Sequence, residues 1–225
     1  MERENLRFQG LDWYSEDNPE TVVIGGAGGI GSWLAFFLAR ANFKVIAIDF
    51  DTIEEHNLGG QFFRKSQVGF NKVTSVANNV SLFSSKNICA QVLHVTENTP
   101  THDFMFSAFD NMSARKILFN VWKKSWNNIN RPLFIDGRLN AEHFQIFCVT
   151  PETADKYEKE YLFEDSEVED APCSAQQTTH TAAMIAGHMT GFFTNHITNI
   201  HLRNNVKEIP FQYEYLTPMN LTVVN

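Results

Sequence analysis

One stretch constrains this chain more than any other. Thr21-Val-Val-Ile is a compact β-branched run, and it ends in Gly25-Gly26-Ala27-Gly28-Gly29-Ile30-Gly31. Ser32 to Ala41 then places apolar residues at helical spacing, and Lys44-Val-Ile-Ala-Ile-Asp49 reads as a second buried strand. A strand, a glycine turn, a helix and a strand within about 30 residues is the signature of a βαβ unit, which demands a parallel sheet covered by helices.

The alternation continues. Ser66–Ser84 reads as a helix, Ile88–Val95 as a strand, Asp103–Phe109 as a strand, Ser113–Trp126 as a helix and Pro132–Asp136 as a strand. Beyond Asp136 the pattern changes: His143–Val149 is reached through a short link and is expected antiparallel to its neighbour. Ser174–Ile200 carries a long helical pattern, with Gly187 and Gly191 as the places where it would break. Phe211–Leu216 and Leu221–Val224 alternate like edge strands. The expected class is therefore α/β, a Rossmann-like doubly wound and mostly parallel sheet with an antiparallel C-terminal extension. It is read as one domain: an N-terminal arm (1–20), a nucleotide-binding part (21–136) and the extension (137–225), which includes an acidic crossing loop at 152–171.

Charge narrows the partners. Eighteen Lys and Arg face 26 Asp and Glu, a formal net charge of -8. Nine of the acids fall between Glu152 and Asp170 against Lys156 and Lys159, so that stretch alone carries -7 and the remainder is nearly neutral. Such a balance disfavours nucleic-acid binding while leaving room for a local basic pocket. Three cysteines without a CxxC pair exclude a disulfide framework and a four-cysteine zinc site, and they fit a reducing cytoplasm. His180, His188 and His196 drift around a helix and form no zinc-ligand pair. No apolar run is long enough for a membrane span, and Met1-Glu-Arg-Glu-Asn is too charged for a signal peptide. Most of the 20 phenylalanines are expected to fill the core.

Gly26, Gly28 and Gly31 have the dinucleotide-loop spacing, and Asp49 lies 18 residues further on at a strand tip. Glycines let the backbone approach phosphate at a helix N-terminus, and an acid at the strand end can hold ribose hydroxyls. NAD, FAD and ATP can all be held in this way.

The neighbouring residues add Asp49-Phe-Asp51, then Asn57-Leu-Gly-Gly60-Gln61, then Val68-Gly-Phe-Asn-Lys72, then Asp110 at a later strand end. Together with Gly26-x-Gly28-Gly29-x-Gly31 this series resembles the ThiF/MoeB/HesA family and the adenylation domains of ubiquitin-activating enzymes. Ile135–Arg138 and Cys173–Thr179 look like the shorter bacterial and phage-type members. The resemblance implies ATP and Mg²⁺, with adenylation of the C-terminal carboxylate of a small ubiquitin-like or sulfur-carrier protein. It places Gly26, Gly28, Gly29 and Gly31 on the phosphates, Asp49 on the ribose, and Asp51, Asn57 and Gln61 along the triphosphate. Lys72 becomes the phosphate cation and Asp110 the Mg²⁺ ligand. The family's arginine before Gln61 is Gly60 here, and Arg64 is the nearest substitute in sequence. The resemblance further implies a homodimer in which an arm arginine, Arg7 in preference to Arg3, reaches the partner's ATP.

Cys173 is the candidate nucleophile, since it directly precedes the long helical pattern. Cys89 and Cys148 fall in strand patterns and are expected in the core. Two rival readings stand beside the adenylating enzyme: an NAD(P)-dependent oxidoreductase on the same loop, and a ThiF-like binding module that lost turnover with its arginine. Nothing after Asp110 supplies a Tyr-x-x-x-Lys or other hydride-transfer constellation.

Overall fold

The computed structural model describes residues 6–126, 131–163, 178–204, 206–219 and 221–225. Eight strands form one sheet in the order β3-β2-β1-β4-β5-β6-β7-β8. They are β1 (Thr21–Gly25), β2 (Lys44–Ile48), β3 (Cys89–Gln91), β4 (Phe104–Ser107), β5 (Leu133–Asn140), β6 (His143–Val149), β7 (Gln212–Leu216) and β8 (Leu221–Val224). β1 to β5 are mutually parallel, and β6, β7 and β8 join antiparallel. The expected fold class is the observed one.

Period-2 alternation sends neighbouring side chains to two cores. Val22, Ile24, Phe104, Phe106, Leu133, Ile135, Phe144 and Ile146 point to one face, where α1 (Gly29–Arg40), α2 (Lys72–Val80) and α5 (Thr179–Leu202) lie side by side. Val23, Met105, Phe134 and Phe147 point to the other, covered by α3 (Met112–Lys123) and α4 (Ala154–Tyr161). Many phenylalanines fill these cores, as expected, but Phe50, Phe70 and Phe83 are more than half exposed.

Several expectations need correction. The helix over 66–84 is a short 3-10 turn at Lys65–Gln67 followed by the nine residues of α2. The strand over 88–95 shrinks to the three residues of β3, because the chain turns at Gln91, where Leu93 N–H donates to its carbonyl. Cys89 is exposed on this edge strand, not in the core; Cys148 is buried as expected. The acidic stretch is not a loop throughout: Ala154, Tyr157 and Tyr161 recur at helical spacing, the first two fully buried, and they tie α4 to the sheet. α5 does not break at Gly187 or Gly191. Ile185, Met189 and Phe193 form a buried i, i+4, i+8 stripe, and that packing outweighs the weak helix propensity of two glycines.

Two glycines are required by geometry. Gly26 has φ +90°, and a Cβ there would meet the Ala108 carbonyl oxygen at 2.8 Å. A Cβ on Gly31 would lie 1.9 Å from the Gly26 carbonyl oxygen. Together they set the tight turn from β1 into α1.

Candidate functional site

The parallel strands end on a shared crest, and a cleft of about 1260 Å³ opens there. Its floor is the glycine turn and the uncapped N-terminus of α1, where Gly28 provides no side chain to satisfy the first amides. Backbone N–H groups and the helix dipole therefore offer an anion seat.

Asp49, at the end of β2, is 8% exposed and braces that turn. One carboxylate oxygen accepts from Ala27 N–H and the other from Asp51 N–H, both at 2.7 Å. Burial pushes its pKa up, opposed by these two amides and by Lys72. Lys72 opens α2, and its Nζ lies 2.8 Å from Asp51 Oδ2. The Lys72 N–H also donates to the Asp51 carbonyl, so side chain and backbone pin α2 to the strand tip. Asn57 is buried and its Oδ1 accepts from Glu54 N–H at 2.8 Å, shaping the next turn. Gln61 sits beside Gly28, and its Oε1 is buried with no hydrogen-bond partner. Asp110 is exposed at the end of β4 and accepts from Asn111, which caps α3 through Ala114 N–H.

Gly26, Gly28, Gly29, Asp49, Asp51, Asn57, Gln61, Lys72 and Asp110 thus all line one cleft. Gly31 does not; its place is a packing contact beneath the turn. Arg7 is exposed in the N-terminal arm and does not line it. That arm packs on Phe43, at the opposite end of the strands, through Trp13. Arg64, the nearest arginine in sequence to Gly60, is exposed and also off the lining. Cys173 lies outside the described residues.

Sequence reasoning missed two features. The first is an apolar wall: Phe50 stacks on His94 at 3.6 Å between centroids, and Leu93 and Val95 continue it along the cleft. Phe50 stands between two recognised acids, so its outward position was the available signal; His94 had none. The second is a buried network on the far side of the crest. Asp136 is fully buried and accepts from Arg115, from Arg138 Nε at 2.8 Å and from Tyr157 OH at 2.9 Å. Arg115 also donates to the Phe109 carbonyl at 2.6 Å, which fixes the loop that presents Asp110.

Electrostatically the cleft is unbalanced. Asp49, Asp51, Glu54 and Asp110 line it against a single Lys or Arg among the described residues, Lys72. No group of three or more His, Cys, Asp or Glu that could cage a metal occurs among the described residues.

The model of the ThiF family matches residues 8–221. Curated relatives include ubiquitin-like modifier-activating enzyme 5 of Drosophila grimshawi, 31% identical over 99 residues, which is 44% of this chain and 22% of that protein. The same-named protein of Bombyx mori is 37% identical over 65 residues, 28% of this chain and 16% of the relative. The matched stretch spans less than a quarter of these relatives' length. Among solved structures, E. coli MccB with MccA-N7isoASN superposes with a TM-score of 0.71 at 18% identity, covering 92% of this chain and 64% of MccB. E. coli MccB with ATP gives 0.68 at 18% identity, covering 92% and 63%, and PaaA gives 0.67 at 15% identity, covering 92% and 72%. At such identities these structures share the fold.

Proposed function

The chain belongs to the ThiF family, and from that premise we propose that it activates a carboxylate by adenylation with ATP. The observation that carries this reading is convergence. Glycine turn, strand-tip Asp49, Lys72 and Asp110 arrive from four separate segments and line one cleft. In the proposed pose the base lies on the Phe50–His94 wall and the ribose hydroxyls reach Asp49. The phosphates follow Gly26–Gly29 to Lys72, where Gln61 offers its amide. Asp110 would hold Mg²⁺, which when bound screens phosphate charge.

The reaction is in-line attack by a substrate carboxylate oxygen on the α-phosphorus. A carboxylate–phosphorus bond forms, the bond to the bridging α–β oxygen breaks, and pyrophosphate leaves with that oxygen. The protein's own contribution is to align two anions and to hold charge against them. The substrate proposed is the C-terminus of a small ubiquitin-like or sulfur-carrier protein, in a cytoplasmic setting, with Cys173 as the thiol acceptor if a thioester follows.

Thermal unfolding tests the nucleotide. ATP–Mg²⁺ should raise the melting temperature and NAD⁺ should not, because only a ligand of the native state stabilises it. A shift with NAD⁺ alone would turn the reading to an oxidoreductase. A second reading, a binding module without turnover, is favoured by Lys72 being the one Lys or Arg on the cleft among the described residues, and by Gly60. It is distinguished by ATP binding without pyrophosphate exchange in the presence of carrier proteins.

A further inference from the structure

Asp110 is exposed, and so is Asn111, whose amide it accepts from at 3.2 Å. Water competes for both ends of such a contact, so the aim of the carboxylate depends on the backbone that carries it.

That backbone is held from below. Ala108 N–H donates to the Gly25 carbonyl at 2.8 Å, which joins the Asp110 loop to the end of β1. The Phe109 ring rests in the space that Gly25 leaves open: a Cβ on that glycine would lie 2.5 Å from Phe109 Cε2. The Phe109 carbonyl accepts from Arg115 Nη2 at 2.6 Å. Arg115 belongs to the start of α3, where Asn111 Oδ1 accepts from Ala114 N–H at 2.8 Å and keeps the first turn closed. The guanidinium is 4% exposed, and its Nη1 donates to the fully buried Asp136 beneath it. Through these contacts the glycine turn and the Asp110 loop share one footing.

Asp136 is gripped by a second arginine. Arg138 donates through Nε to the other carboxylate oxygen at 2.8 Å, and through Nη2 to the Tyr161 carbonyl at the end of α4, also at 2.8 Å. Two forks thus hold one carboxylate. One of them reaches the loop of Asp110 and the other reaches α4. A network that served stability alone would make no difference between them.

We propose that Arg115 is a positioning residue: seated on Asp136, it fixes Asp110 relative to the glycine turn closely enough to favour Mg²⁺ over a larger ion. This role rests on the nucleotide reading. Asp110 presents oxygen, the donor that hard divalent ions take beside phosphate. Mg²⁺ holds its ligands at about 2.0–2.1 Å in near-octahedral geometry, whereas Ca²⁺ accepts about 2.3–2.6 Å and a looser shell. A loop free to drift would therefore lose Mg²⁺ before Ca²⁺. Groups that orient a metal ligand from behind commonly carry about 10–100-fold of metal affinity.

Calorimetric titration with ATP in EDTA, in Mg²⁺ and in Ca²⁺ tests this, since the gain that each ion gives over EDTA reports on the metal site separately from the nucleotide. In the wild type both ions should strengthen ATP binding. Arg115→Lys keeps a cation for Asp136 but loses the fork that reaches Phe109. It should bind ATP in EDTA as the wild type does, lose about tenfold or more of the Mg²⁺ gain, and keep most of the Ca²⁺ gain. Arg138→Lys makes the equivalent change at the other oxygen of the same carboxylate. It should lower the melting temperature and alter neither gain. Gly25→Ala, which displaces the Phe109 ring without touching a charge, should repeat the Arg115→Lys pattern. Unchanged gains in Arg115→Lys, equal loss for both ions, or the same Mg²⁺ loss in Arg138→Lys would overturn the proposal, while ATP binding by the wild type kept the nucleotide reading. Failure of both Arg115→Lys and Gly25→Ala to fold would make the joint structural only and overturn it as well. A wild type that binds ATP under none of the three conditions would overturn the nucleotide reading and this role with it.

Discussion

Asp49 illustrates how one side chain serves two ends. Its two carboxylate oxygens already hold Ala27 and Asp51 N–H, so it keeps the glycine turn in shape before any ligand arrives. Asp49→Ala should lower ATP affinity at least tenfold by calorimetry, since charge-assisted hydrogen bonds are worth about 1.5–3 kcal/mol each. The same change should lower the melting temperature. An effect on melting without one on affinity would leave Asp49 as a brace and remove it from the ribose. The cysteines give a separate check. Cys148 is buried and its thiol is pushed far up by desolvation, so it should resist alkylation in the native state. Cys89, exposed on β3, should be labelled readily. Its exposure was not legible in sequence: Ile88–Val95 reads like a buried strand, and only the sheet order shows that β3 is an edge.

At the scale of elements, the turn from β1 into α1 and the network around Asp136 are the two joints of the molecule. Gly31→Ala forces a Cβ against backbone at 1.9 Å and should cost about 3 kcal/mol or more in denaturant unfolding. Gly28→Ala should be tolerated within about 1 kcal/mol, because the nearest atom is Gln61 Nε2 at 3.9 Å, yet it should weaken ATP binding by standing where phosphate approaches. That contrast separates the packing glycine from the one that lines the cleft, which the motif spacing treats alike. Asp136→Asn would leave the buried Arg115 and the partly buried Arg138 facing a neutral amide and should destabilise by about 3 kcal/mol. The network joins α3, β5 and α4, three elements whose adjacency no local pattern reveals.

Over the whole molecule, stability should fall in mild acid. His102, His188 and His196 are desolvated in the fold, and burial lowers each pKa below 6.5. His196 is 8% exposed and bonds the Arg131 carbonyl at 2.7 Å. The unfolded chain protonates these rings near pH 6.5 while the folded chain holds them neutral, so unfolding takes up protons below that pH. Their contribution is complete above about pH 7 and is lost as pH falls toward 5. Calorimetric melting at pH 7.5 and 5 should show this drop, and His196→Gln should make it shallower.

The repeated strand–helix pattern, the parallel-then-antiparallel sheet and the series of cleft residues from Gly26 to Asp110 were determined by the sequence itself. Period and turn chemistry are local properties, and family motifs keep their order along the chain. Tertiary structure decided the rest. It made α4 a helix by burying Tyr157, carried α5 straight through two glycines, and moved Gly31 out of the cleft it seemed to line. It also set His94 on Phe50 and laid the uncharged α5 beside α1 and α2, which carry one charged residue each, on one face of the sheet. These outcomes depend on which distant segments meet, and burial against a distant segment can outweigh the preferences of any single stretch of chain.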